Sequence, residues 1–332
     1  MTIENSAEEQ DMRYYWKVYF SFKNYKKWYS NIIYQKLKAF ESMKKDDQIL
    51  LKSFKFKCEK ALECISINQE FFDDMLKNTP HFVDEKRIVN PTAEDFDKCV
   101  STLKTIARDW STSGIDERHA YKPILWELSQ IDEESRPDIN VFVPGSGLSR
   151  LAYEVAKLGF DTTANELTYH MLIPCYFILN TITKRYTIFP FVHNFQNRMN
   201  IQDCFAEVEF PDEFPELSNS SFNMVGGEYT EIAIPCEITV SCYFLDTASN
   251  IIDYIKCIQQ NTQSMWLNVG PLLYHHQQSI ELSFEEILLI VRQITDFNLS
   301  DQSRIRASYC ADPKSMVEYA YNNIYCKFLK NK

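Results

Sequence analysis

The chain of 332 residues contains no run of eighteen or more apolar residues, so no membrane-spanning helix is expected. Its first ten residues, MTIENSAEEQ, are acidic where a secretory leader has a basic region followed by an apolar one, and no such leader is expected. Ten cysteines are present, yet there is no C-x-x-C pair and no Cys/His cluster at metal-ligand spacing. That excludes a zinc site and a disulfide framework as the organising device, and no metal is expected. Reduced thiols in a cytoplasmic and also nuclear protein fit better, and Cys175 in LIPCYFIL and Cys242 in TVSCYFL read as small buried hydrophobes. Positive charge is also in short supply. The net charge of −11 argues against a general polyanion-binding surface, so nucleic acid is not the expected partner. The charge is uneven, however: residues 13–60 are rich in lysine, whereas 203–231 carry eight acids, which leaves room for a local basic patch. No internal repeat is evident.

What is present is ample for a large core: 45% of residues are hydrophobic and 14% aromatic. From Arg13 to about Met75, apolar residues recur at helical spacing, through Trp16, Phe20, Trp28, Tyr29, Ile33 and Leu37, then Leu50, Leu51, Phe54, Cys58, Leu62 and Ile65. This predicts two or more amphipathic helices, with the aromatic stripe as core in preference to a base-stacking surface. Pro91 and Thr92 mark a further helix start, and its apolar face runs through Phe96, Val100, Leu103, Ile106 and Trp110.

The pattern then changes. INVFVPG is a continuous apolar run of strand length, RLAYEVAKLG is a helix closed by Gly159, and FDTTANE is a second strand ending in an acid. Strand, turn, helix and strand make a βαβ unit and start a parallel sheet near Asn140. SFNMVGGEY, EITVSCYFLDTA and SMWLNVGPLLY are further strand-like runs, and helices are expected in 168–182, 250–261 and 283–295. Residues 184–221 lack clear periodicity and contain three prolines, so they read as an insertion or long loop.

Gly145 and Gly147 form the turn after the first strand, and Glu166 ends the second. A ligand could approach the backbone at such a turn while the acid accepts from a ribose diol. GSGLSR lacks the third glycine of a dinucleotide fingerprint, so a nucleoside-type cofactor site and an ordinary tight βα turn both remain open on pattern alone.

The segment VPGSGLSRLAYEVAKLGFDTTANELTYHMLIPCYFILN, with ARDWS upstream and FLDTASNIIDYI and NVGPLLYH downstream, resembles the carnosine N-methyltransferase family over about residues 90–328. The resemblance implies an α/β fold: a seven-stranded Rossmann-like methyltransferase sheet preceded by a helical region. It implies domains at 1–90 and 91–332, and S-adenosyl-L-methionine as cofactor. Among cofactor residues it implies Arg108 at the methionine carboxylate, Thr105 where the family has a glutamine, Gly145 beside the cofactor and Glu166 on its ribose. Glu228 and Tyr229 would flank the adenine, Glu228 replacing an aspartate, with Thr239 as a further neighbour.

The implied reaction moves a methyl group to an imidazole nitrogen of a histidine-containing dipeptide, carnosine giving anserine. An imidazole attacks when neutral, and a carboxylate accepting its remaining N–H would set the tautomer. Asp246 in CYFLDTA is the implied catalytic residue, with His275, Tyr309, Tyr319 and Tyr321 shaping the dipeptide pocket. An Asp after a strand can equally cap the next helix, and tyrosines can be core with a hydroxyl at the rim. Rival readings are a methyltransferase acting on protein histidine or RNA, the latter motivated by the lysine-rich helices, and a catalytically silent interaction module. The silent module gains support from Thr105, Glu228 and the NTQSM that replaces a Pro-Gly turn at 261–265. A homodimer is left open.

Overall fold

The computed structural model describes residues 7–217, 221–274 and 280–331. Its helices in chain order are α1 (Ala7–Lys23), α2 (Tyr25–Glu41), α3 (Lys45–Leu50), α4 (Lys52–Asn78), α5 (Ala93–Trp110), α6 (Lys122–Ser129), α7 (Arg150–Lys157), α8 (Tyr169–Tyr176), α9 (Ile251–Asn261) and α10 (Phe284–Ile294). Its strands are β1 (Asn140–Val143), β2 (Asp161–Glu166), β3 (Tyr186–Ile188), β4 (Val208–Phe210), β5 (Phe222–Gly226), β6 (Cys236–Cys242), β7 (Thr262–Gly270), β8 (Phe297–Ser308) and β9 (Ala320–Lys330). Contacts group the chain into two units. One holds Met1–Gly114, Ile173–Phe214 and Cys310–Glu318; the other holds Ile115–Leu172, Pro215–Tyr309 and Tyr319–Lys332. Neither unit is continuous in sequence, unlike the division at residue 90 that the sequence suggests.

The second unit is an α/β fold built on a seven-stranded mixed sheet in the order β5-β2-β1-β6-β7-β9-β8. Six strands run in one direction, and β9, lying between β7 and β8, is antiparallel to both. Alternation along each strand splits the core into two layers. Val141, Val143, Ile238, Val240, Leu267 and Val269 face a layer that includes Ile124 of α6 and Leu151 and Val155 of α7. Phe142 and Trp266 face the opposite layer with Ile255 and Ile258 of α9 and Ile287 and Val291 of α10. Trp266 is fully buried, stacks on Phe328 with centroids 4.5 Å apart, and donates its indole N–H to Ser241 at 2.9 Å. The chain winds outward from β1 to β2 and β5, then returns to β6 beside β1. That reversal is a topological switch point, where the carboxyl ends of neighbouring strands part to leave a crevice.

In the first unit the aromatic stripe is core. Tyr15, Trp16, Phe22, Tyr25 and Tyr29 are buried, and Trp28 stacks on Phe96 with centroids 4.4 Å apart. A side chain of α4 staples the break between α1 and α2, since Gln69 donates to Phe22 O at 3.1 Å and accepts from Lys26 N at 2.8 Å. The stripe stops at α3, where no residue is buried and Leu50 is 82% exposed. Thr92 starts α5 with a capping box, its N–H donating to Asp95 Oδ2 at 2.7 Å. Within 184–221 the structure shows more than a loop, because β3 and β4 pair antiparallel from Tyr186↔Phe210 to Ile188↔Val208. Three-residue strands carry too few alternations to be seen as a period.

Candidate active site

Four loops at the carboxyl ends of β1, β2, β5 and β6 enclose a cleft of about 500 Å³. The turn after β1 is tight because alternate residues are left-handed, with φ of +59° at Gly145, +57° at Gly147 and +57° at Ser149. A Cβ on Gly145 would lie 2.3 Å from the Phe244 ring, so glycine is required there by the packing of the β1 and β6 loops. At Gly147 an added Cβ would meet nothing within 4 Å. The position of a third fingerprint glycine is held by Arg150, which is buried and paired with Glu154 at 2.8 Å.

Glu166 ties this turn to the end of β2. One carboxylate oxygen accepts from Gly147 N at 2.9 Å; the other accepts from Leu167 N at 2.9 Å, Thr168 N at 2.8 Å and the Thr168 hydroxyl at 3.0 Å. The side chain is thus rigid and lines the cleft. A carboxylate oxygen has two acceptor positions, so the one holding Gly147 keeps capacity for a further donor. Asn165 fixes the facing loop by donating to Val225 O at 3.1 Å and Gly227 O at 2.9 Å.

Glu228 and Tyr229 follow β5 and line the same cleft. Tyr229 is wedged among Phe142, Phe244 and Tyr254, with centroids 5.1 to 6.1 Å away. Its hydroxyl is buried with no hydrogen-bond partner, and burial pushes the phenol well above its ordinary pKa. Tyr254 is pushed up to about 12, first by burial and then by the charge of Glu228. A rigid carboxylate with open acceptor capacity beside an aromatic wall with an unsatisfied hydroxyl fits a ribose and a purine.

The structure therefore brings Gly145, Glu166, Glu228 and Tyr229 around one cavity. Thr239 is not among the lining residues: it is buried within β6, and its hydroxyl pairs with that of Thr262 at 2.6 Å. Asp246 is 2% exposed in the short turn after β6 and accepts from Leu273 N at 2.9 Å. It does not cap α9; Asn250 does, accepting from Ile252 N at 3.1 Å. Tyr309 and Tyr321 pack together with centroids 5.4 Å apart, whereas Tyr319 is 66% exposed and meets Tyr309 through its backbone, its carbonyl accepting from Tyr309 N at 3.2 Å. His275 lies outside the described residues. Thr105 and Arg108 belong to α5 in the other unit. There the Thr105 hydroxyl donates to Ser101 O at 2.9 Å, and Arg108 makes two bonds to Asp109, at 2.7 and 2.9 Å.

Sequence reasoning missed Tyr243, Phe244, Asn165 and Tyr254 as lining residues. The available signal was position, since Asn165 precedes the acid of β2 and Tyr243 and Phe244 directly follow β6 at the sheet's carboxyl edge. Among the described residues no group of three or more His, Cys, Asp or Glu could hold a metal ion, and no helix is long and apolar enough to cross a membrane.

Magnesium protoporphyrin IX methyltransferase from Synechocystis PCC 6803, solved with bound SAM, overlaps 66% of this chain and 81% of its own at 8% identity and a TM-score of 0.43. In sequence, the carnosine N-methyltransferase of Mus musculus is 34% identical over 95% of this chain and 85% of its own length. The carnosine N-methyltransferase unmet of Drosophila melanogaster is 31% identical over 96% and 80%, and the carnosine N-methyltransferase of Schizosaccharomyces pombe 32% identical over 75% of each. The family model described as carnosine N-methyltransferase matches residues 85–332. With that span and those identities, the chain belongs to the carnosine N-methyltransferase family of S-adenosylmethionine-dependent enzymes.

Proposed function

We propose that this chain methylates an imidazole nitrogen of a histidine-containing dipeptide, turning carnosine into anserine. The observation that carries the reading is the cleft at the switch point, where the bonded Gly147–Glu166 pair and the Tyr229 wall suit the nucleoside of the family's cofactor. S-adenosylmethionine, when bound, supplies a methyl group already activated on a sulfonium. The chain's own residues then have geometric work to do. Glu166 holds the ribose, Gly145 floors the cleft, and Glu228 and Tyr229 bracket the adenine. On the family resemblance, Arg108 takes the methionine carboxylate, with Thr105 and Thr239 as further cofactor neighbours.

Asp246 is the proposed catalytic residue. A buried carboxylate held by a backbone N–H is suited to accept the N–H of a neutral imidazole, leaving the other nitrogen's lone pair for attack. Tyr309, Tyr319 and Tyr321, with His275, would hold the ends of the dipeptide. The family match starting at residue 85 supports a methyltransferase domain over 91–332 with a helical region before it. Ten cysteines without a disulfide partner support a reducing compartment, cytoplasm or nucleus. Light scattering would distinguish a homodimer from a monomer.

The test is mass spectrometry of purified protein incubated with methyl-labelled cofactor and carnosine. One labelled methyl on the imidazole is expected. Label appearing instead on RNA or on protein histidine, or no transfer to any imidazole compound, would overturn the reading.

A further inference from the structure

α2 packs along α4, and α3 closes the pair at one end. Phe40, next to last in α2, stacks on Phe54 in the first turn of α4 with centroids 5.6 Å apart. Gln48 of α3 ties the closure down: its Nε2 donates to Glu41 O at 3.0 Å and to Met43 O at 2.8 Å, which caps carbonyls at the end of α2. The turn is thus built, yet it hides little of its apolar surface. Ile49 is 58% exposed, Leu50 82%, Leu51 41% and Phe56 50%. Three consecutive aliphatic residues at the closed end of a hairpin leave an apolar patch in water, which is unfavourable unless something covers it.

Lysine surrounds the patch. Residues 36–57 hold seven lysines against three acids, Glu41, Asp46 and Asp47, a net of +4 in a chain whose total is −11. Lys38, Lys44, Lys45, Lys52 and Lys55 are all exposed. We propose that the closed end of this hairpin is a membrane-contact tip: Ile49, Leu50 and Leu51 enter the headgroup region of an anionic bilayer while the flanking lysines meet its negative charge. Consecutive helical residues project about 100° apart, so Ile49 and Leu50, with Leu51 directly after them, spread around the tip. A groove gripping one helix face would leave part of that surface wet, whereas a bilayer takes all of it. RNA suits the tip poorly, because residues 14–86 contain no arginine to fork onto a phosphate and Asp46 and Asp47 repel one. A second copy docking tip to tip would set two patches of the same charge against each other.

The test is flotation of the full chain with vesicles of phosphatidylcholine alone and of phosphatidylcholine containing phosphatidylserine. The mixed vesicles should bind about tenfold more protein at low salt, and the difference should collapse at high ionic strength. Leu50→Ser combined with Leu51→Ser alters only exposed side chains and should lower binding about tenfold or more. Lys44→Gln combined with Lys52→Gln should cost a similar factor on the mixed vesicles and nothing on phosphatidylcholine alone. Urea midpoints check that both variants are folded, and native protein on the two vesicle compositions reads the proposal without either. Equal binding to both compositions, no binding to either, or native binding by the leucine variant would overturn it. So would a native dimer, seen by light scattering, that the leucine variant dissociates, which gives the tip to a second copy. Binding of single-stranded RNA that the lysine variant loses and the leucine variant keeps would overturn it too. None of these outcomes depends on turnover of carnosine.

Discussion

Glu166→Gln changes one atom and separates two roles for the same side chain. The carboxylate takes four hydrogen bonds, three on one oxygen and one, from Gly147 N, on the other. An amide nitrogen at the first position would oppose three donors, so it settles facing Gly147, where one backbone N–H loses its acceptor. That loss costs about 1–3 kcal/mol in a buried setting. The three surviving bonds change from charge-assisted to neutral, roughly halving each. Together these destabilise the fold by roughly 3–5 kcal/mol, most of it in the link between the β1 turn and β2. The cofactor effect is distinct, because the oxygen with spare capacity is the one replaced. A ribose hydroxyl would then meet an N–H, and affinity for S-adenosylhomocysteine should drop by about a hundredfold, near 2.7 kcal/mol. Urea denaturation measures the first quantity and titration calorimetry the second. A variant that loses stability yet binds S-adenosylhomocysteine with native affinity would make Glu166 a structural anchor only and would refute the ribose assignment.

Asp246→Asn should slow methyl transfer about ten- to a hundredfold, by roughly 1–3 kcal/mol, with cofactor affinity unchanged in calorimetry; Asp246→Ala should lose more, since it also strands Leu273 N. Native-rate methylation of carnosine by Asp246→Ala would refute the tautomer role. His193 is half-buried against Tyr25, 2.5 Å from its hydroxyl, and its pKa is lowered from 6.5 to about 3, first by burial of the ring and then by Lys104. The fold holds the neutral ring and the unfolded chain takes up the proton. Stability is therefore intact above pH 6.5 and falls as pH drops towards 3, by at most about 1.4 kcal/mol per unit. Denaturation midpoints at pH 7.5 and 5 should differ more for native protein than for His193→Gln, and parallel midpoints would contradict this. Deleting residues 1–80 should leave an aggregation-prone remainder, because Phe96, Cys99, Leu103 and Ile106 on α5 lose the cover that Ser21, Trp28 and Tyr29 help provide. A soluble, fully active fragment from residue 85 would contradict that.

The mutation that first suggests itself for the cleft, a branched residue at Gly145, is a poor probe. Its Cβ would strike Phe244, so lost binding would report a disturbed β6 loop as readily as a blocked cofactor. The turn is glycine-dependent for two reasons at once, backbone sign and ring contact, and only the first was visible in GSGLSR.

What the sequence determined by itself is local and periodic. The apolar run of β1, the helix closed by Gly159 at φ +100°, the acid ending β2 and the capping box of α5 are set by neighbours within a few residues, so they can be read as pattern. The family wording supplied the sheet's seven strands before their pairing was known. The strands β8 and β9 left no such trace: FNLSDQSRIRAS is largely polar and exposed, and it becomes strand through its ladder of eleven residue pairs with β9, not through an alternating apolar face. The exposure of Leu50 was likewise not legible, since spacing marks an apolar face but not whether a partner covers it, and no residue of α3 is buried. The cleft shows the same division. Glu166 was legible because a carboxylate at a strand end is a chemical signal, whereas Tyr243 was not, because nothing in CYFLD forecasts a tyrosine at positive φ. That conformation exists because Val269 on β7 and Asn323 on β9 hold it from strands far apart in sequence, and only the tertiary structure brings them together.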